Sequence, residues 1–184
     1  MANIIIGISG GIAAYKSAYL ASGMVRRGFD VRAVMTDGAC RFITPLTFKG
    51  LTGNRVYTSL WDEAADKDHT ALSEWADTMI VAPATANEIA KFANGIADNL
   101  LSTLILDFTG PVFLCPAMHE NMWNNPANRK NIEFLKENRY YIIGPEKGNL
   151  AGGKTGEGRM TEPETIISTI ETILNKEYPA IIKQ

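Results

Sequence analysis

The residues best equipped for chemistry stand together. Pro116, Ala117, Met118, His119, Glu120, Asn121, Met122 and Trp123 follow directly on the apolar run 111–115. A buried strand that ends in proline and then presents Met, His, Asn and Trp has the makings of a ligand floor. The imidazole and amide hydrogen-bond, and the thioether and indole pack. A plain strand-to-helix turn with packed aromatics is the alternative. His69, in His69-Thr70-Ala71-Leu72-Ser73-Glu74-Trp75-Ala76-Asp77, is the other of only two histidines. Imidazole exchanges a proton near neutral pH, which suits a general base; a surface or hydrogen-bonded histidine is the alternative. Two histidines without clustered acids or cysteines do not make a metal site, so none is expected.

Three other segments offer ligand chemistry. Gly7-Ile8-Ser9-Gly10-Gly11-Ile12-Ala13-Ala14 is a glycine-rich strand-to-helix turn, whose free N–H groups and helix end suit a phosphate. Its glycines do not give the G-x-G-x-x-G of a dinucleotide site, for which Asp37 would be the ribose acid. A mononucleotide phosphate fits better, and a tight turn without ligand is the bland reading. Pro83-Ala84-Thr85-Ala86-Asn87 supplies a hydroxyl and an amide where small alanines allow close approach; capping by Thr85 explains it equally when taken alone. Gly148-Asn149-Leu150-Ala151-Gly152-Gly153-Lys154-Thr155 satisfies the P-loop pattern to the letter. Its context argues against nucleotide hydrolysis, because Gly156, Gly158 and Pro163 follow where a helix should start.

The elements that must position these groups read as alternating strands and helices. Strands are expected at residues 4–8, 31–35, 78–82, 112–115 and 140–143, the last of the series. Helices are expected at 12–27, after Pro45, after Pro83 to about Asn94, over 98–106 and from Pro126 to about Asn138. Thr161-Glu162-Pro163-Glu164 has capping-box spacing before a final helix with Ile166, Ile167, Ile170, Ile173 and Leu174 on one face. Residues 144–162 form a long glycine-rich segment, a length that loops seldom reach unless functional. The pattern predicts an α/β fold: a single-domain, doubly wound parallel sheet (Rossmann-like or flavodoxin-like) with helices on both faces, spanning residues 1–184. Right-handed crossovers then gather the loops after the strands on one edge, where such folds bind ligands.

Composition narrows the partners. The chain has 184 residues, 46% of them hydrophobic, and a net charge of −2 without a basic stripe, so neither nucleic acid nor an anionic membrane surface is expected. No apolar run approaches the roughly 18 residues of a membrane span, and the opening residues lack a signal-peptide pattern. Cys40 and Cys115 form no disulfide framework, and Cys115 reads as a buried thiol, which fits a reducing cytoplasm.

In type and in order along the chain, these motifs resemble those of the homo-oligomeric flavin-containing cysteine decarboxylase family, over residues 4 to about 174. The resemblance implies FMN as cofactor, held by Ser9, Gly10, Gly11, Ile12, Thr36, Phe42, Thr85, Asn87 and Met118, with residues 89–101 continuing the flavin-site motif. It implies that His69, spaced as the family's catalytic histidine is from Trp75-Ala76-Asp77, acts as a base. It implies substrate contacts from His119, Asn121, Met122 and Trp123, and from Gly152, Arg159 and Met160 in a mobile flap over 144–162. In the family FMN oxidises a cysteine thiol to a thioaldehyde, and the adjacent carboxylate then leaves. The likeness is nearest to the branch that converts 4′-phosphopantothenoylcysteine to 4′-phosphopantetheine for coenzyme A synthesis. Decarboxylation of a peptide's C-terminal cysteine, a non-catalytic FMN-binding regulator and a flavin prenyltransferase are the alternatives. That branch often carries a fused ligase domain, which residues 1–184 do not include.

Two positions depart from the branch. His119 stands where an asparagine commonly holds the substrate carboxylate, and Gly152 where a flap cysteine often serves as acid. His119 is therefore expected to hold the carboxylate and to count as catalytic, with the final reduction using another acid or not occurring. The resemblance further implies a homo-oligomer built from trimers, up to a dodecamer, with flavin sites between subunits; Trp61 and Trp123, if exposed, are compatible with it, and core packing explains them equally.

Overall fold

The computed structural model describes residues 2–61, 69–138, 140–149, 153 and 155–182. β1 (Asn3–Ile8) turns Ile4, Ile6 and Ile8 to one side of the sheet and Ile5 to the other, all fully buried. That is the pattern of a central parallel strand covered on both faces. It is joined by β2 (Asp30–Met35), β3 (Val56–Tyr57), β4 (Thr78–Ala84), β5 (Val112–Pro116) and β6 (Tyr140–Ile142) in the order β3-β2-β1-β4-β5-β6, all parallel. β7 (Glu146–Asn149) and β8 (Thr155–Arg159) form a separate antiparallel pair. Because β1 lies between β2 and β4, the chain leaves the centre in opposite directions. The loops after β1 and β4 therefore flank the crevice that such sheets open to ligands.

The helices are α1 (Ala14–Arg26), α2 (Asp37–Cys40), α3 (Pro45–Thr52), α4 (His69–Trp75), α5 (Ala86–Asn94), α6 (Leu100–Asp107), α7 (Glu120–Trp123), α8 (Pro126–Glu137), α9 (Pro163–Glu177) and α10 (Pro179–Ile182). On one face Leu20 and Met24 of α1, Phe48 of α3 and Ile166, Ile167, Ile170 and Leu174 of α9 pack against Ile4, Ile6 and Ile8. On the other, Ile89 of α5, Leu101 and Leu104 of α6 and Ile132 and Leu135 of α8 cover Ile5, Met79 and Val81. Each such side chain contributes roughly 1.5–3 kcal/mol by leaving water. The expected doubly wound architecture is the one observed.

Several expectations need correction. α1 begins at Ala14 rather than residue 12, because the glycine turn runs on to Ala13. β4 runs on through Pro83 to Ala84, and its register with β5 slips between Val81 and Ala84. The strand at 140–142 is not the last of the chain: residues 146–159, expected as a loop, contain the β7–β8 hairpin. Thr161 and Glu164 do not form a capping box. Glu162 is the N-cap of α9 and makes no side-chain cap, since its carboxylate is engaged by Lys16 and Arg159. The capping box lies instead at Asn99 and Ser102, at the start of α6.

Candidate functional site

Ser9 ties the two central loops together. Its hydroxyl, fully buried, donates to the Pro83 carbonyl at 2.6 Å and accepts the Thr85 N–H at 3.0 Å. The slipped register leaves carbonyls free for such bonds, and the Ser17 hydroxyl takes that of Ala82. The β1 and β2 loops meet at Gly10 and Gly38, where a Cβ on Gly10 would lie 2.7 Å from the Gly38 carbonyl carbon. Gly10 therefore serves loop packing as well as ligand approach, and only glycine fits.

These loops open into a cavity of about 1120 Å³, somewhat above the usual range of about 300–1,000 Å³ for small-molecule sites. Of the residues expected at the site, Gly10, Gly11, Ile12, Thr36, Thr85, Asn87, Met118, His119, Met122, Arg159 and Met160 line it. Ser9 lies just beneath as a strut. Trp123 does not line the cavity: it is 5% exposed and packs in the core with Ile132 and Leu135, its Nε1–H without an acceptor among the described residues. Along the short α7 it follows Met122 by one residue, about 100° further round the helix, so it faces the core while Met122 faces the cavity. It is equally no exposed aromatic, unlike Trp61, which is 86% exposed at the cavity's rim. Asn121 also lies outside, its backbone N–H held by His119. Phe42 is 53% exposed and outside this chain's cavity. His69 is half-buried at the first residue of α4 and does not line it either. Gly152 lies outside the described residues.

The donors suit a phosphate monoester. α1 begins without a side-chain cap, and its Ala14 and Lys16 N–H groups turn back to the Gly11 and Ala13 carbonyls; the N–H groups of Gly10, Gly11 and Ile12, without a hydrogen bond among the described residues, are the ones left for an anion. The Thr36 oxygen accepts the Ala39 N–H at 3.2 Å and the Thr85 oxygen accepts that of Glu88 at 3.5 Å. Each threonine thus acts as a helix cap with its oxygen and keeps its O–H proton to donate.

On the opposite wall His119 caps α7. Its Nδ1 accepts the Asn121 N–H at 3.3 Å, so the neutral ring carries its proton on Nε2. The free edge of this imidazole is a donor, suited to a carboxylate. The β7–β8 hairpin closes on the same loop: Met118 N–H donates to the Gly158 carbonyl at 3.0 Å, and Glu157 N–H to Glu120 Oε1 at 3.1 Å. Gly158 has φ of +148°, and a Cβ there would lie 2.1 Å from the Met118 carbonyl oxygen. At the hairpin's base, the buried Lys16 ammonium bonds the Met160 carbonyl and Glu162 Oε1, both at 2.9 Å, and Arg159 shares that carboxylate. Lys16 and then Arg159 hold the Glu162 carboxyl below its ordinary range by hydrogen bonding.

Tyr15, Lys16, Glu88, Glu162 and the Leu60–Trp61 edge also line the cavity, although no motif of the sequence marks them as ligand contacts. Lys91, Asp98 and Asn99 fell within the expected flavin-site motif without individual roles. Lys91 bonds Asp98 at 2.8 Å, which depresses the Asp98 carboxyl; burial pulls the Lys91 ammonium down, but Asp98 and Glu88 raise it more. Cys115 is buried, which pushes its thiol far up and leaves it inert. Among the described residues no cluster of His, Cys, Asp and Glu could hold a metal, and no helix is long and apolar enough to cross a membrane. The Gly-Lys-Thr of the P-loop lookalike leads into strand β8 rather than a helix.

The chain is similar to several known proteins. The coenzyme A biosynthesis bifunctional protein CoaBC of Bacillus subtilis is 44% identical over 180 residues, which are 97% of this chain and 44% of the relative. Its counterpart in Borreliella burgdorferi is 42% identical over 96% of this chain and 46% of its own. The chain thus spans less than half the length of these relatives. A substituted PPC decarboxylase solved with pantothenoylaminoethenethiol superposes with a TM-score of 0.84 at 33% identity, covering 95% of this chain and 98% of that one. The FMN binding protein AtHal3 gives 0.81 at 32% identity, covering 96% and 98%. The model of the family described as Flavoprotein matches residues 1–175, and with a parallel sheet whose central loops shape a phosphate cradle, this chain belongs to that family.

Proposed function

We propose that this protein is an FMN-dependent carboxy-lyase acting on the cysteine moiety of 4′-phosphopantothenoylcysteine to give 4′-phosphopantetheine for coenzyme A synthesis. The observation that carries the reading is the meeting of the β1, β2, β4 and β5 loops in one cavity at the point where strand order reverses. The likeness to a PPC decarboxylase and to an FMN binding protein supports the reaction and the cofactor.

The phosphate of FMN is held by the N–H groups around Gly10, Gly11 and Ile12 with the hydroxyls of Thr36 and Thr85, while Asn87 and Met118 border the rest of the cofactor. FMN, when bound, would supply the two-electron redox chemistry: an oxidation of the thiol-bearing carbon before carbon dioxide is lost and a reduction after it. His119 donates its Nε2–H to the substrate carboxylate. Met122, Arg159 and Met160 enclose the substrate under the β7–β8 hairpin, which excludes water while the carboxylate is held. Gly152 has no thiol to act as the final acid.

His69 and Phe42 lie outside this chain's own cavity, and we assign them to the cavity of a neighbouring subunit in a homo-oligomer built from trimers. His69 there moves the substrate's proton as general base. An exposed apolar stripe supports the assembly: Ile12 at 62% in the turn before α1, Tyr15 at 54% and Tyr19 at 68% along α1, and Leu46 at 74% on α3. Reduced Cys40 and Cys115 fit the cytoplasm.

The test is incubation of FMN-loaded protein with 4′-phosphopantothenoylcysteine or a cysteine-ended peptide, reading carbon dioxide release and product mass. Release from the former, with the mass of 4′-phosphopantetheine, is expected. A product lighter by a pair of hydrogens removes the reduction step from the account, and release from the peptide alone replaces the substrate.

A further inference from the structure

Glu88 sits in the cavity wall with 3% of its surface exposed, a rare place for a carboxylate. Donors reach it from three residues: Asn87 Nδ2 at 3.2 Å, Asn99 Nδ2 at 3.3 Å and Lys91 Nζ at 3.4 Å, all on Oε1. Asn99 is fully committed, since its Oδ1 also takes the Ser102 N–H at 2.9 Å. Asn87 is not. Its amide nitrogen goes to Glu88, and its Oδ1 has no hydrogen bond among the described residues, although the side chain lines the cavity.

We infer that Glu88 is a positioning residue that sets which end of the Asn87 amide meets the ligand. A carboxylate only accepts hydrogen bonds, so the reversed amide would place two oxygens against each other. Glu88 therefore keeps the Asn87 nitrogen and leaves its Oδ1 as the end available to the cavity. The ligand group read there is a donor, an N–H or O–H of the flavin, and a carbonyl or phosphate oxygen is refused at that point. The inference rests on the flavin reading above and names the kind of flavin atom that Asn87 selects.

Glu88→Gln tests it, because glutamine keeps the shape but can donate to Asn87 Oδ1 and so let the amide turn. The FMN dissociation constant, followed by flavin fluorescence quenching, is expected to rise about tenfold, the effect of one lost hydrogen bond, with a shift of the flavin absorption bands. Adding Asn87→Asp, which has oxygens only and restores the original charge count, is expected to recover most of the affinity and the bands. Asn87→Leu, which leaves Glu88 in place, is expected to weaken FMN to the same degree. Wild-type affinity and spectrum in Glu88→Gln or Asn87→Leu overturn the inference. So does a double variant no tighter than Glu88→Gln, which would mark Glu88 as merely structural. If the unsubstituted chain takes up no FMN, the flavin reading fails and takes this inference with it. Normal uptake with indifferent variants removes the inference alone.

Discussion

His119 does two things with one ring: Nδ1 caps α7 through the Asn121 N–H, and Nε2–H is left to donate. Asparagine could do both, with its oxygen as cap and its nitrogen as donor. His119→Asn is therefore expected to keep kcat/KM within about tenfold, whereas His119→Ala loses a hydrogen bond to a charged group, about 10- to 100-fold. Steady-state kinetics on 4′-phosphopantothenoylcysteine separates them, and equal losses would contradict the donor role. At this scale much of the site was legible. Met118, His119 and Met122 follow a buried strand, and the type of strand end is readable from composition. Trp123 was not, because one further residue along α7 turns the ring into the core, and an aromatic looks the same in either place. Glu88 was missed for the opposite reason. A charge on a helix reads as solvated, and the Asn99 amide at the start of α6 meets this carboxylate only once the chain has folded.

Between elements, the site depends on a few fixed joints. Ser9→Ala removes the bond to Pro83 and strands the Thr85 N–H, at a cost of about 1–3 kcal/mol. At about 2–4 °C per kcal/mol for a chain of this size, calorimetry should show a Tm lower by several degrees; an unchanged Tm would count against the strut. Gly158→Ala places a methyl group against the Met118 carbonyl and should release the hairpin. Faster tryptic cleavage at Lys147 is the expected sign, and an unchanged digestion pattern contradicts it. The hairpin's base is also sensitive to acid. Lys16, then Arg159, depress the Glu162 carboxyl below its ordinary 4.5, so its contribution is complete above that value and is lost as pH falls through the lower folded one. The Tm of Glu162→Gln should accordingly fall less than that of the wild type between neutral pH and pH values below 4.5; parallel curves would contradict this. The hairpin itself was illegible because β7 and β8 are glycine-rich and lack apolar alternation, and β3 is only two residues long.

Across the whole molecule, alternating apolar strands and amphipathic helices were enough to announce a doubly wound sheet, since each buried strand needs a helix on either face. They do not tell that His69 and Phe42 stay outside their own chain's cavity, because that depends on where the start of α4 and the turn after α2 come to lie in three dimensions. If α1 and α3 meet a neighbouring subunit, Leu46→Asp and Tyr19→Glu should yield a smaller species in light scattering and weaker FMN binding together. Unchanged mass in both variants would reject this interface. Whether the crevice between β1 and β4 holds a flavin facing a thiol-bearing acid is decided by visible absorption of the reconstituted, gel-filtered protein. Stoichiometric flavin bands that co-elute with the chain, and carbon dioxide released only from the flavin-loaded fraction on addition of 4′-phosphopantothenoylcysteine, are predicted. A colourless protein, or release that does not depend on flavin, would contradict it.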